Sequence, residues 1–172
     1  MVFLFLIPFF LVRFGLMAAL GRGAVARAAH FAPLVESEKT ANRVYQISTV
    51  VILLYPVFLR VRTAPSALFY AGIGAYALGM VLLIASVVSF SSPSENGINQ
   101  SGLYRISRNP MYVAYFFVFL GCALLAQSPV LLVTLLCLQV STHWIIRAEE
   151  RWCIQQFGDA YLQYMKRVRR YI

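Results

Sequence analysis

The stretch that decides the fold is residues 109–146, NPMYVAYFFVFLGCALLAQSPVLLVTLLCLQVSTHWII, which has 38 residues and no formal charge. A helix needs about 20 mostly apolar residues to cross a bilayer, so this stretch is long enough for two spans. Gln127, Ser128 and Pro129 lie at its middle and predict a tight turn. We therefore expect a helical hairpin, with one span at about residues 110–126 and the next from about residue 130.

Three more apolar stretches precede this hairpin. Residues 67–90 are the core of an uncharged run, residues 44–59 form a shorter stretch with Pro56 as the predicted kink, and residues 1–20 are apolar apart from Arg13. No basic residues precede the first stretch, so we expect a retained span and not a cleaved signal peptide. The chain is predicted to be all-α, a polytopic membrane helical bundle with about five transmembrane helices.

Composition supports this prediction and excludes several other classes of protein. The 172 residues are 60% hydrophobic and 12% charged, about half of the ~25% charged residues in a soluble domain. That deficit excludes a soluble globule, a disordered tail and a secreted disulfide scaffold. The length allows one domain, in which residues 1–90 contain the first three spans and residues 91–172 contain a polar connector at residues 91–101, the hairpin and a tail. The three cysteines form no CxxC pair, and we expect no metal site.

The basic residues predict the orientation in the membrane. The formal net charge is +9, and on so apolar a chain this excess indicates a lipid bilayer as the partner and no nucleic acid. Of the 15 Lys and Arg residues, four follow the first span, two follow the third and six follow the last, all on one side. Only Arg60 and Arg62 lie on the other side. The positive-inside rule therefore predicts an outside N-terminus and a cytoplasmic C-terminus.

The chain after the last span predicts a second, shorter helix. Residues 147–157 contain no proline or glycine, and Gly158 is a natural C-terminal stop. In the segment that follows, Tyr161, Tyr164 and Val168 fall on one helical face, with basic residues elsewhere. This pattern predicts a cytoplasmic amphipathic helix that lies at the membrane interface.

Two polar clusters flank the hairpin, so the hairpin brings them to the same cytoplasmic side. The first is GLYRISRNPMY, residues 102–112, and the second is RAEERWCIQQFGDAYLQY, residues 147–164. They are far apart in sequence but predicted to meet in a pocket at the membrane surface. Such a place suits an enzyme that joins a soluble cofactor to a lipid-like substrate.

The candidate residues in these clusters each have two interpretations. Arg108 and Tyr112 fit binding of a carboxylate or a flat ring, and equally fit a topology anchor and an interfacial tyrosine. Glu149 and Glu150, two of only six acidic residues, fit a cationic ligand or an ion pair with neighbouring arginines. His143 fits a catalytic role or a neutral partner between helices.

In this order and spacing, the clusters resemble the isoprenylcysteine carboxyl methyltransferase family and its bacterial and phospholipid-methylating relatives. The typical pattern is a glycine-aromatic turn, then R-H/N-P-x-Y, a helical hairpin, an E-E pair and F-G-x-x-Y-x-x-Y. Here the sequence has G-L-Y, R-N-P-M-Y, E-E and F-G-D-A-Y-L-Q-Y, within about the last 70 residues. Asn109 replaces the histidine of the eukaryotic enzymes, and Arg169 stands where a proline is usual.

The resemblance implies an integral membrane enzyme that uses S-adenosyl-L-methionine to methylate an amphiphilic or lipid-like acceptor at a carboxylate, amine or thiol. It implies a cofactor site built from the hairpin and tail, lined by Tyr104, Arg108, Asn109, Pro110, Tyr112, Glu149 and Glu150. Glu150, Arg147 and His143 are the catalytic candidates. Two other classes stay open: an NADPH-dependent membrane sterol or enone reductase-like enzyme, and a non-enzymatic membrane scaffold or lipid-binding protein.

Overall fold

The structure is a computed structural model that describes residues 1–21, 23–28, 32–92 and 97–171. All named elements in these ranges are helical, which confirms the all-α prediction. Arg22 and His30 lie outside the described residues, as do residues 93–96 of the predicted connector. The helices are α1 (Val2–Leu20), α2 (Ala24–Ala28), α3 (Lys39–Leu54), α4 (Ala67–Ser91), α5 (Pro110–Ala126) and α6 (Pro129–Arg167).

Five of these helices correspond to the five predicted spans. By length and apolar composition, α1, α4 and α6 can each cross a membrane, and α5 is a shorter apolar helix of 17 residues. Helix α3 begins earlier than the predicted span and ends in a 3-10 turn, Tyr55–Phe58, at the predicted kink of Pro56. Residues 129–157, before the bend in α6, are about 44 Å long, more than the ~30 Å of a hydrocarbon core, so the C-terminal part of α6 extends beyond the membrane.

The five long helices alternate in direction, as contacts between their ends show. At one end, the Arg151 side chain of α6 contacts Glu38, just before α3, at 2.6 Å. At the other end, the Arg62 amide donates to the carbonyl of Leu125, which is near the end of α5, at 2.9 Å. We call these the basic end and the far end. The described basic residues that follow the first, third and last spans therefore lie at the basic end, and Arg60 lies with Arg62 at the far end.

Glycines allow α4 and α5 to approach closely, as the pattern of small residues in α4 predicts. A Cβ atom on Gly79 would lie 2.5 Å from the Val118 nitrogen of α5, and Gly72 and Gly121 are similarly crowded by the opposite helix. Gly74, in contrast, is exposed and has no atom within 4 Å of its Cβ direction, so it takes no part in this contact.

The turn of the hairpin has the predicted residues in the predicted place. Gln127 adopts the left-handed conformation at the end of α5, with φ 49° and ψ 44°. The Ser128 hydroxyl then accepts a hydrogen bond from the Leu131 amide at 3.3 Å and caps α6, and Pro129 occupies the first helical position. This turn makes α5 and α6 antiparallel neighbours.

Helix α6 bends at Gly158, as the sequence predicts. Gly158 has φ 53° and ψ −132°, a conformation that interrupts the helix and that glycine adopts easily. In the segment beyond the bend, Tyr161 and Tyr164 are buried against Ile98 of the connector, with Phe157 partly buried beside them. The segment is therefore amphipathic, and its apolar face packs on the protein itself.

Candidate active site

The hairpin joins the two polar clusters at the basic end. Pro110 begins α5, and Asn109 before it is non-helical, so the chain ahead of the helix stays open. Arg108 and Glu150, separated by 42 residues, are in direct contact, with 2.7 Å between Nη2 and Oε1. The predicted meeting of the two clusters is therefore confirmed.

Glu150 is the centre of an ion-pair network. Its side chain is 6% exposed, and Arg108 contacts Oε1 through both Nε and Nη2. We call the described residues after position 160 the tail. Arg170 of the tail contacts both carboxylate oxygens, with its Nη2 2.7 Å from Oε2. Two guanidinium groups thus balance one buried carboxylate, an arrangement in which charge-assisted hydrogen bonds are strong. Glu150 therefore connects the hairpin to the tail.

The tail returns to the start of α5 through backbone hydrogen bonds. Arg108 Nη1 donates to the carbonyls of Met165 and Val168, each at 2.9 Å, and the Arg108 amide donates to the Arg169 carbonyl at 2.9 Å. The Asn109 side-chain amide donates to the Arg170 carbonyl at 3.0 Å. Arg108 and Asn109 together fix the last residues of the chain against the hairpin, with Arg169 taking part through its backbone.

Glu149 has a different environment from its neighbour. Successive helical residues point about 100° apart, so Glu149 faces α5 while Glu150 faces the tail. The Glu149 carboxylate accepts a hydrogen bond from the Tyr112 hydroxyl at 2.8 Å and forms no ion pair within the described ranges. It is therefore the partly buried carboxylate of the site whose charge no protein cation neutralises directly.

This hairpin is the region that a family comparison recognises. The family model for phospholipid methyltransferase matches residues 68–160, more than half of the chain. The chain belongs to the phospholipid methyltransferase family. The match runs from α4 to just past the bend in α6 and includes both glutamates, whereas the tail lies beyond it. No curated protein and no solved structure matches the chain significantly.

Of the remaining predicted site residues in this family member, two contact the C-terminal part of the chain and one stands apart. His143 Nδ1 lies 3.1 Å from the Tyr171 hydroxyl and so contacts the tail. The carbonyl of Tyr104 accepts a hydrogen bond from the Tyr164 hydroxyl at 2.7 Å, which joins the buried Tyr104 to the segment beyond the bend. Arg147 is exposed and forms no ion pair with the described residues, so the structure does not bring it to Glu149 or Glu150.

A second ion pair supports the basic end of this family member. Both guanidinium Nη atoms of Arg151 lie 2.6 Å from the oxygens of Glu38, which precedes α3. Hydrogen bonds from the Arg151 guanidinium hold the pKa of Glu38 below its ordinary value, against the opposing effect of burial. The pair connects the second span to α6, next to the site.

Sequence reasoning missed the site role of Arg170, and of Glu38 and Arg151 beside it. The sequence indicates Arg170 only as one of several basic residues after the last span, because nothing in a run of arginines shows which one turns inward. Arg13 was treated only as an exception in an apolar span, although a charge at that position was a signal in itself.

The residues present fit a sulfonium cofactor. The Glu149 carboxylate, with the Tyr112 hydroxyl as its side-chain donor, is a favourable partner for a cationic group of a ligand. Within the described part of the chain, Asn99 Oδ1 is the buried side-chain polar atom that has no hydrogen-bond partner. It lies in the connector at the same end and is an acceptor suited to an N–H group of a ligand.

Proposed function

We propose that this protein is an S-adenosyl-L-methionine-dependent methyltransferase that methylates a lipid-like or amphiphilic acceptor at the cytoplasmic face of the membrane. Membership of the phospholipid methyltransferase family supports the reaction class and the lipid-like substrate. The observation that carries the proposal is the junction of the two clusters, where Arg108 meets Glu150 and Tyr112 meets Glu149.

The protein residues have distinct roles in this proposal. When bound, S-adenosylmethionine supplies a methyl group activated by the sulfonium, so the protein must mainly position the reactants and exclude water. Glu149 pairs with a cationic group or accepts the proton that an amine acceptor loses, and Tyr112 orients its carboxylate. Glu150, Arg108 and Arg170 are positioning residues, because they are paired with each other and hold the tail over the site.

Three other predicted residues have peripheral roles in the proposal. Asn109 positions the tail through the Arg170 carbonyl. His143 positions Tyr171, and its contact supports a positioning role over a catalytic one. Arg147 is exposed near the membrane surface and is available to attract an anionic lipid or substrate.

The proposed orientation rests on the basic residues. The described basic clusters share one end of the bundle, and only Arg60 and Arg62 are predicted at the other. The positive-inside rule assigns the richer end to the cytoplasm. The site at the basic end is then cytoplasmic, where a soluble nucleotide-like cofactor has access to it.

Cofactor binding and methyl transfer test the proposal directly. The purified protein in detergent is examined by thermal shift with S-adenosylmethionine and, separately, with NADPH. It is then incubated with S-adenosylmethionine carrying a radiolabelled methyl group and with a native lipid extract. We expect a shift with S-adenosylmethionine alone and label in a lipid fraction. A shift only with NADPH would establish a reductase instead, and no shift with either cofactor would support a scaffold or lipid-binding protein.

A matched pair of variants tests the role of Glu149. Glu149→Gln and Glu36→Gln each remove one carboxylate, but Glu36 is exposed, and its ion-pair partner among the described residues is Lys39. We expect Glu149→Gln to lose most methyl transfer with its fold retained, and Glu36→Gln to keep wild-type transfer. Equal activity in both variants would remove Glu149 from the mechanism.

A further inference from the structure

A cavity of about 200 Å³ lies inside the bundle, between α1, α3, α5 and α6. Most of its lining residues nearest to the basic end are polar: Arg13 in α1, Tyr45 in α3, Tyr112 in α5, and Gln139 and Thr142 in α6. The Tyr112 hydroxyl also donates to Glu149, so the polar part of the cavity is continuous with the candidate active site.

The deeper part of the cavity is apolar. Phe9, Ile52, Phe119 and Leu135 line it, and each lies further from the basic end than the polar residue of the same helix. A cavity with a polar top and an apolar base matches an amphiphile with its polar group toward the membrane surface. At about 200 Å³ it is smaller than the pocket of a drug-sized ligand, so it has room for a polar headgroup and the first carbons of a chain.

The rim of the cavity faces the bilayer. Phe10 and Phe14 of α1 line the cavity and are 37% and 48% exposed on the surface of the bundle. Rings that are both in the cavity wall and on the apolar outer surface mark a side opening. An amphiphile can therefore enter sideways from the lipid, with its remaining chain left in the bilayer.

Arg13 is the charged residue in the cavity lining, and no carboxylate lies within ion-pair distance of it among the described residues. Its guanidinium also interacts with the Tyr115 hydroxyl, and its other hydrogen bonds to described residues are a long one to the Ala28 carbonyl, at 3.4 Å, and one to the Met17 sulfur, a weak acceptor, at 3.5 Å. Its guanidinium carbon lies 5.7 Å from the centroid of the Tyr115 ring. A guanidinium has five donors, so Arg13 retains capacity for an anion.

The backbone around Arg13 is also irregular. Residues Leu11–Leu16 form a π-helical turn within α1. Such turns are rare in proteins, and those that occur are often found at functional sites. An ionisable residue within a span indicates function by default, because an unpaired charge in the membrane is costly.

We propose that this cavity is the acceptor-binding site and that Arg13 binds an anionic group, a phosphate or a carboxylate, of the amphiphilic acceptor. The assignment rests on the proposed function, since it places the methyl-accepting atom toward Tyr112 and Glu149. Arg13 and Tyr112 line the same cavity and Tyr112 donates to Glu149, so the anion site adjoins the candidate active site. Arg13 thereby selects acceptors that carry a negative charge near the accepting atom.

Binding of simple amphiphiles tests the site without any methyl transfer. The purified protein in a neutral maltoside detergent is titrated calorimetrically with dodecyl phosphate, dodecanoate and dodecyltrimethylammonium, which share one chain and differ in headgroup. We expect at least one anion to bind tenfold or more tightly than the cation, and the comparison of the two anions identifies the preferred group. Equal binding of anions and cation would overturn the proposal.

Two pairs of variants locate the binding. Arg13→Gln should weaken anion binding at least tenfold and Arg13→Lys should weaken it less, whereas Arg105→Gln, at an exposed position of the basic end, should leave it unchanged. Thr49→Trp fills the cavity and keeps Arg13, so it should abolish binding, and Val133→Trp on the lipid-facing surface should not. Anion binding that survives both Arg13→Gln and Thr49→Trp would refute the assignment.

The same proteins separate this inference from the proposed function. Arg13→Gln should leave the Kd for S-adenosylmethionine within about twofold of wild type, because Arg13 contacts the acceptor and not the cofactor. If the wild-type protein binds no S-adenosylmethionine but still binds anions through Arg13, the proposed function fails and the anion site stands. If it binds S-adenosylmethionine but the anion preference is absent, the opposite holds.

Discussion

Glu150→Gln should separate the tail from the hairpin. The substitution removes the one negative charge between two guanidinium groups, and it leaves Arg108, with a side chain only 7% exposed, without a counterion. Breaking a buried ion pair by removing one partner costs about 3–5 kcal/mol of stability. We expect a value near the lower limit, because the glutamine oxygen still accepts a hydrogen bond and two backbone carbonyls still accept from Arg108.

The expected loss is large enough to measure by two methods. At about 2–4 °C for each kcal/mol in a chain of this length, a loss of about 3 kcal/mol lowers Tm by about 6–12 °C. If the tail detaches locally, amide hydrogen exchange in residues 160–171 accelerates by about a hundredfold, since about 1.4 kcal/mol is a factor of ten. Both measurements use the purified protein in one detergent.

Glu149→Gln is the matched control, because it makes the same chemical change at the next residue. The glutamine oxygen still accepts from the Tyr112 hydroxyl but carries no charge, so we expect a loss of about 1 kcal/mol and no change of exchange in the tail. If Glu150→Gln destabilises the protein no more than Glu149→Gln does, the ion-pair network is not what holds the tail. A double-mutant cycle between Arg108 and Glu150 then measures their coupling directly.

Three further outcomes follow from particular contacts. Tyr112→Phe removes a hydrogen bond to a carboxylate, of about 1.5–3 kcal/mol, so Tm should fall by about 3–12 °C, and methyl transfer measured below the new Tm should fall because the Glu149 carboxylate is no longer oriented. Gly79→Ala should lower Tm because its Cβ meets the backbone of α5, whereas Gly74→Ala should raise it slightly, since alanine is the better helix former. Arg151 lowers the folded-state pKa of Glu38, so their pair stabilises the protein above the ordinary pKa of 4.5 and is lost as pH falls through the lower folded value. Glu38→Gln should therefore flatten the acid decline of Tm, and an unchanged decline would contradict this.

The positions of the helices could be predicted because few kinds of backbone structure can cross a bilayer. Every backbone polar group in the hydrocarbon core must be satisfied within the helix, so apolar length identifies a span. The turn at Ser128 and the bend at Gly158 depend on a local cap and a local backbone preference, and both were predictable for that reason. The length of α3 was less predictable, since charged residues extend it beyond its apolar part.

The candidate site was predictable only as a meeting of two clusters. Hairpin geometry requires that residues 102–112 and 147–164 share one end, whatever their side chains do. It was not predictable that Glu150 forms the ion pairs and that Glu149 accepts from Tyr112, because this depends on which neighbour each carboxylate faces. Arg170 was equally hidden among the basic residues of the tail.

The sequence by itself determined that this chain is a helical membrane protein with its polar clusters at one end, because hydrophobicity and helical geometry act locally. Only the tertiary structure decided that Glu150 forms ion pairs with Arg108 and Arg170, while Glu149 accepts a hydrogen bond from Tyr112. Only it brought Arg13 from the first helix to a cavity under that site. The physical reason is that pairing and cavities depend on distances between remote segments, which no local pattern encodes.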